Sequence, residues 1–180
     1  MSLMVRLLQF YTPGWVKRRA LDQLLSFTAA AFQCQPAATR GLTVDERLCH
    51  YARFTLEQVE QYRQRGGDPA VLHERLYWSA YQLGHIHGRL FRVCSTQEIM
   101  ALARTLYRIL EIDFSGDAQG EVIIRRCYFS RLYSAPVCSI MSGMDRGLLA
   151  GLSGGGQLIF STRITEGAPC CRARFVLEQI

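Results

Sequence analysis

Four of the seven cysteines, Cys127, Cys138, Cys170 and Cys171, crowd into the last third of the chain. Cys138 falls in the first turn of a helix opened by Ser134-Ala-Pro136. Unpaired backbone N–H groups and the positive end of the helix dipole meet there, a setting that favours a thiolate. Cys138, Ser142 and Asp145 follow one another at i, i+4 and i+7, so a thiol, a hydroxyl and a carboxylate share one helix face. The apolar set of the same helix, Ile140, Met141, Met144 and Leu148, is displaced around it. Two readings stand. In one the polar stripe lines a site, with Cys138 as nucleophile or ligand and Asp145 as base or orienting group. In the other Cys138 is a small buried hydrophobe, and Ser142 and Asp145 are solvated.

Cys170-Cys171 begins the last strand, where neighbours face opposite sides, so one of the two thiols faces the Cys138 helix. Cys127, at the end of an earlier strand, can face the same space. Two or three thiols with Asp145 suffice to hold zinc, but the spacings match no closed structural-zinc signature. No cofactor is therefore expected, with zinc left as an open alternative. His85 and His87 sit at i and i+2 on a helix and point apart, which excludes joint ligation of one metal. His85 is retained as a candidate general base, against the blander reading of a structurally satisfied histidine. Tyr77, Trp78 and Tyr81 on that helix read as core. Gly154-Gly-Gly156 reads as a helix-to-strand turn; no phosphate loop, dinucleotide fingerprint or G-x-S-x-G elbow is present.

The elements that must position these groups fall into two sets. Helices are expected over 15–34, stopped by Pro36, and from the capping box Thr43-Val-Asp-Glu46 to Gly66-Gly67. A third opens at Asp68-Pro69 and runs to about Phe91, and a fourth opens at the second capping box, Ser95-Thr-Gln-Glu98, and runs through Leu110. Beyond that the period changes. Glu121 to Phe129 reads as a strand, with Ile109 to Phe114 as its antiparallel partner. The Cys138 helix follows to about Leu149, broken by Gly151 and Gly154-Gly-Gly156. Strands at 157–165 and 170–177 close the chain around the turn Glu166-Gly167. The expected fold is α+β: a helical N-terminal half on a C-terminal antiparallel sheet in β-β-α-β-β order. It forms one domain over 1–180, with a mainly helical part (1–93) and an α+β part (94–180) that carries the site.

The chain has 180 residues, 49% hydrophobic and 20% charged, which excludes disorder and collagen-like structure. Twenty-one basic residues against fifteen acidic ones give +6, and all the basic residues but Lys17 are arginine. The arginines are scattered and form no nucleic-acid fingerprint, so nucleic acid is not an expected partner. No apolar run spans a membrane, and Met1 to Arg19 lacks the apolar core of a signal peptide. With an odd number of thiols, a reduced cytoplasmic setting is expected. The expected partner is a small-molecule substrate, with a homo-oligomer left open. The three cysteines of the first half, Cys34, Cys49 and Cys94, read as buried structural thiols.

The segment Arg126 to Phe175 resembles the L-2-amino-thiazoline-4-carboxylic acid hydrolase family. The resemblance rests on Arg126-Cys127-Tyr128-Phe129, Cys138 with Asp145 seven residues later, Leu158-Ile-Phe160, Arg163-Ile-Thr165, Glu166-Gly167, and Cys170-Cys171 with Arg172 and Phe175. It implies hydrolytic opening of a small cyclic amidine bearing a carboxylate, giving an N-carbamoyl amino acid. On that reading the Cys138 thiolate attacks an sp² carbon, and Asp145 or a histidine shuttles protons. Arg163 clamps the substrate carboxylate, and Ser142, Cys127 and Cys170 or Cys171 line the site. The same segment is similar to the vinyl-reductase-type small-molecule-binding domains, whose cysteines can hold zinc. Those usually carry an acidic residue on the strand before the turn, where this chain has Arg163.

Overall fold

The computed structural model describes residues 11–36 and 38–177. Most of the Met1–Arg19 stretch read above for a signal peptide lies outside them. Four helices come first: α1 (Gly14–Ala31), α2 (Val44–Gln64), α3 (Pro69–Phe91) and α4 (Thr96–Ile109). Then follow β1 (Phe114–Gly116), β2 (Glu121–Ile124), a short 3₁₀ turn (Tyr128–Arg131), α5 (Ala135–Ser153), β3 (Gln157–Thr162), a second 3₁₀ turn (Ile164–Glu166) and β4 (Cys171–Val176). The fold is α+β with the helices before the sheet and strands in β-β-α-β-β order, as the sequence predicts.

Local chemistry accounts for the helix starts. Thr43 Oγ1 accepts from the Glu46 N–H, and the Glu46 carboxylate accepts from the Thr43 N–H at 2.8 Å, a complete capping box. Asp68 caps α3 at the Ala70 N–H, with Pro69 at the first helical position. The second box is only half formed. Ser95 caps the Glu98 N–H, but the Glu98 carboxylate turns to the Cys94 N–H instead of that of Ser95.

The four strands lie in the order β1-β2-β4-β3, all antiparallel. Phe114 pairs with Ile124, and Ile124 with Cys171, so the three form a row across the inward face. Along β4, Cys171, Ala173 and Phe175 point inward, while Arg172, Arg174 and Val176 point out. One cluster of buried residues joins Leu21 and Leu25 of α1, Leu48 and Val59 of α2, Leu72 and Leu76 of α3, α4, α5 and this sheet face.

α5 runs along α3 in the most extensive helix contact of the described chain. Gly143, Gly147 and Gly151 make the approach close. A Cβ at these positions would stand 2.5, 2.0 and 2.1 Å from the carbonyl oxygens of His73, Tyr77 and Tyr81. Both series advance by four residues, so one glycine per turn meets one carbonyl per turn.

Several expectations need correction. Gly151 does not break α5; it serves this contact, and the helix ends at Gly154 in the left-handed conformation. Ile109 belongs to α4, so β1 begins only at Phe114, whose ring stacks on Tyr107 with centroids 4.7 Å apart. β2 stops at Ile124, and Tyr128 and Phe129 turn into the 3₁₀ segment, where Phe129 packs against Tyr51 and Tyr133. α1 ends at Ala31, and β3 at Thr162. Trp78 is not core: it is 54% exposed and leans on Tyr77 and Tyr81. Cys34 and Cys94 are exposed and Cys49 is half-buried, so none of the three is a fully buried thiol. Among the described residues no helix is long and apolar enough to cross a membrane.

Candidate functional site

A cavity of about 100 Å³ lies between α5, α4 and the inward sheet face. Its walls are largely apolar, from Leu24, Leu83, Met141, Met144, Leu148 and Phe160 among others. Cys138, Ser142 and Asp145 of α5 border it together, with Arg163 from the end of β3, Cys171 from β4 and Cys127 from the loop after β2. Six of the eight sequence-predicted site residues therefore share one void. Met141, Met144 and Leu148 border it too, so the apolar set is not displaced away from the polar stripe.

The remaining two do not reach it. His85 is exposed on α3 and stacks on Tyr81, 6.2 Å between centroids. α3 reaches the cavity through Ala80 and Leu83 instead, and His85 is not in its lining. Cys170 precedes β4 and lies outside the lining; the alternation of β4 points Cys171 inward.

Asp145 is the site's main electrostatic feature. Protein surrounds it on all sides, yet it keeps some accessible surface, and that surface is cavity wall. Loss of hydration raises its pKa to about 6. The Tyr107 hydroxyl, which donates to Oδ1 at 2.7 Å, and the Arg163 charge act in the opposite direction and only partly offset burial. Asp145 in turn helps to raise the Tyr107 phenol well above its ordinary range, after burial itself. Arg163 is fixed by three contacts. Its Nη2 donates to Ser142 Oγ at 3.4 Å, its Nη1 meets Glu166 at 3.4 Å, and its guanidinium carbon lies 4.8 Å from the Phe160 ring centre. Its Nε is buried without a hydrogen-bond partner. Ser142 Oγ itself donates to the Ser139 carbonyl at 2.6 Å.

The thiols depart from expectation. Burial raises the Cys138 pKa, and the charges that Asp145 and Cys171 carry when ionised add to the rise. The Thr165 hydroxyl and Arg163 act the other way without reversing it. Burial thus acts against the thiolate that the helix start favours. Cys127 is pushed up to about 12, chiefly by burial. Burial also raises Cys171, while the Ile164 N–H donates to its sulfur at 3.4 Å. Among the described residues, no three His, Cys, Asp or Glu side chains gather closely enough to hold a metal ion.

Sequence reasoning missed Tyr107. A tyrosine inside the buried stripe of α4 was the available signal, because a buried phenol needs a hydrogen-bond partner. Its partner stands 38 residues on, which no local pattern shows. The chain matches no known protein-family model and no curated protein.

Proposed function

We propose that the cavity binds a small, mainly apolar molecule whose one compact polar group meets Asp145 and Arg163, making the chain a small-molecule-binding module. The observation that carries this reading is the cavity itself, apolar except where a carboxyl, a guanidinium and a hydroxyl converge. An aliphatic cavity of about 150 Å³ takes up benzene, so about 100 Å³ suits a single small ring. Asp145 accepts a hydrogen bond or pairs with a cation, and Arg163 donates to an anion or carbonyl.

A second reading is the cysteine-dependent hydrolase of a small carboxylated heterocycle. Cys138, Asp145 and Cys171 do share one void, and an acid of pKa about 6 suits proton transfer near neutral pH. The upward shift of the Cys138 pKa by burial favours binding over catalysis.

Titration with benzene, benzoate and 2-amino-thiazoline-4-carboxylate, followed by heteronuclear NMR, separates the two. Binding shifts the signals of Met141, Met144 and Tyr107; if no probe moves them, the binding reading fails. The hydrolase adds thiol-bearing product well beyond one equivalent, and Cys138→Ala abolishes it. Alkylation at neutral pH gives a further check. A binding module leaves Cys138 slower to react than exposed Cys94, whereas a nucleophile outpaces Cys34 and Cys49.

A further inference from the structure

A second concavity, of about 710 Å³, opens on the other side of Ile112 and Cys127, the two residues it shares with the apolar cavity. Five arginines line it: Arg104 and Arg108 from one face of α4, Arg125 and Arg126 just after β2, and Arg131 at the end of the first 3₁₀ turn. Only Glu111 and Asp113 oppose them. This one groove thus concentrates positive charge in a chain whose net charge is +6. Among the described residues no carboxylate pairs with Arg104, Arg125, Arg126 or Arg131. All five guanidinium side chains are exposed, so they reach a ligand without leaving a core.

We propose that this groove binds a small molecule bearing phosphate groups. Its volume lies in the range of small-molecule and cofactor sites, roughly 300–1,000 Å³. Even Arg104, Arg125, Arg126 and Arg131, which pair with no carboxylate among the described residues, outnumber the two acids, an excess that one carboxylate does not match and a di- or triphosphate does. Guanidinium groups grip phosphate oxygens through paired N–H bonds. The arginines surround a concavity instead of following an extended track, which suits a compact anion better than a nucleic acid strand. The groove shares only Ile112 and Cys127 with the apolar cavity and none of its five arginines.

Calorimetric titration of the full chain with inorganic pyrophosphate at low ionic strength tests it. The wild type is expected to bind, and Arg125→Ala/Arg126→Ala to weaken binding at least about tenfold. Arg63→Ala/Arg65→Ala, on the exposed end of α2, is expected to leave it within about twofold, because screening hides distant surface charges. Arg131→Ala provides a second variant should the double one fold poorly, and weakens binding in the same direction. The proposal is overturned if pyrophosphate does not bind, if the groove and α2 variants weaken it equally, or if a single-stranded oligonucleotide binds where pyrophosphate does not.

Discussion

Along one side of α5, Gly143, Gly147 and Gly151 lay backbone on backbone, with no room for a methyl group against α3. Along the other side, Cys138, Ser142 and Asp145 border a void and bury a carboxyl where water would have served it better. The same nineteen residues therefore hold the tightest and the loosest packing around one helix axis. The void is not the result of a poorly seated helix, because the glycine side seats it to within a fraction of a van der Waals radius. Its site-facing side gives up stability, and sites that bind or react are where proteins do this.

Four substitutions test that contrast, in falling order of effect. Gly147→Ala drives a Cβ to 2.0 Å from the Tyr77 carbonyl oxygen and is expected to cost about 3 kcal/mol or more, seen as a Tm lowered by roughly 10 °C. A Tm within about 2 °C of wild type would show that the contact is slack and remove one half of the comparison.

Asp145→Asn is expected to act in the opposite direction and with pH. The folded pKa, about 6, lies above the ordinary 3.8, so ionisation is harder in the folded chain than in the unfolded one. Burial of the acid costs nothing below about pH 4 and its full penalty above about pH 6. After a discount for the surface it shows to the cavity, Asp145→Asn stabilises by about 2 kcal/mol at pH 7–8, and the gain vanishes by about pH 4. Urea melts across that range measure it, and a gain independent of pH would contradict the assignment. Tyr107→Phe removes the hydroxyl that donates to Asp145 and is expected to destabilise by about 1.5 kcal/mol at pH 7. The same change raises the Asp145 pKa above its present value, readable by carboxyl NMR titration.

Cys138→Val gives the smallest effect. It adds a methyl group beside an existing void and is expected to be neutral or to stabilise by about 0.5 kcal/mol, while reducing uptake of ring-sized probes. A loss as large as that of Gly147→Ala would mean that the two sides of α5 are packed alike. Affinity for an amidine ring should rise as pH passes upward through about 6, because Asp145 ionises there.

What the sequence revealed was what neighbours along the chain decide. Thr43 with Glu46, and Asp68 with Pro69, start their helices through contacts four residues long or less, and both appear where expected. The alternation of β4 is likewise local, but which of Cys170 and Cys171 faces inward was left open until the pairing of Cys171 with Ile124 set it. The stripe of Cys138, Ser142 and Asp145 was legible from helical spacing, but its electrostatics were not. The thiolate expectation used only the helix end, whereas burial, which depends on the rest of the fold, raises the pKa. The run from Ile109 to Phe114 suits helix and strand alike, and the Tyr107–Phe114 stack decides it. Gly151 reads as a breaker until a partner carbonyl 70 residues away explains it.

The glycine contact also has a mechanical meaning. α5 is clamped from Gly143 to Gly151, so it cannot slide or roll without driving backbone into backbone. Room for a guest larger than the present void has to come from the other walls, among them α4, the sheet and the turn at Tyr128–Arg131. The helix that carries the thiol and the carboxyl is thus the fixed jaw of the cavity.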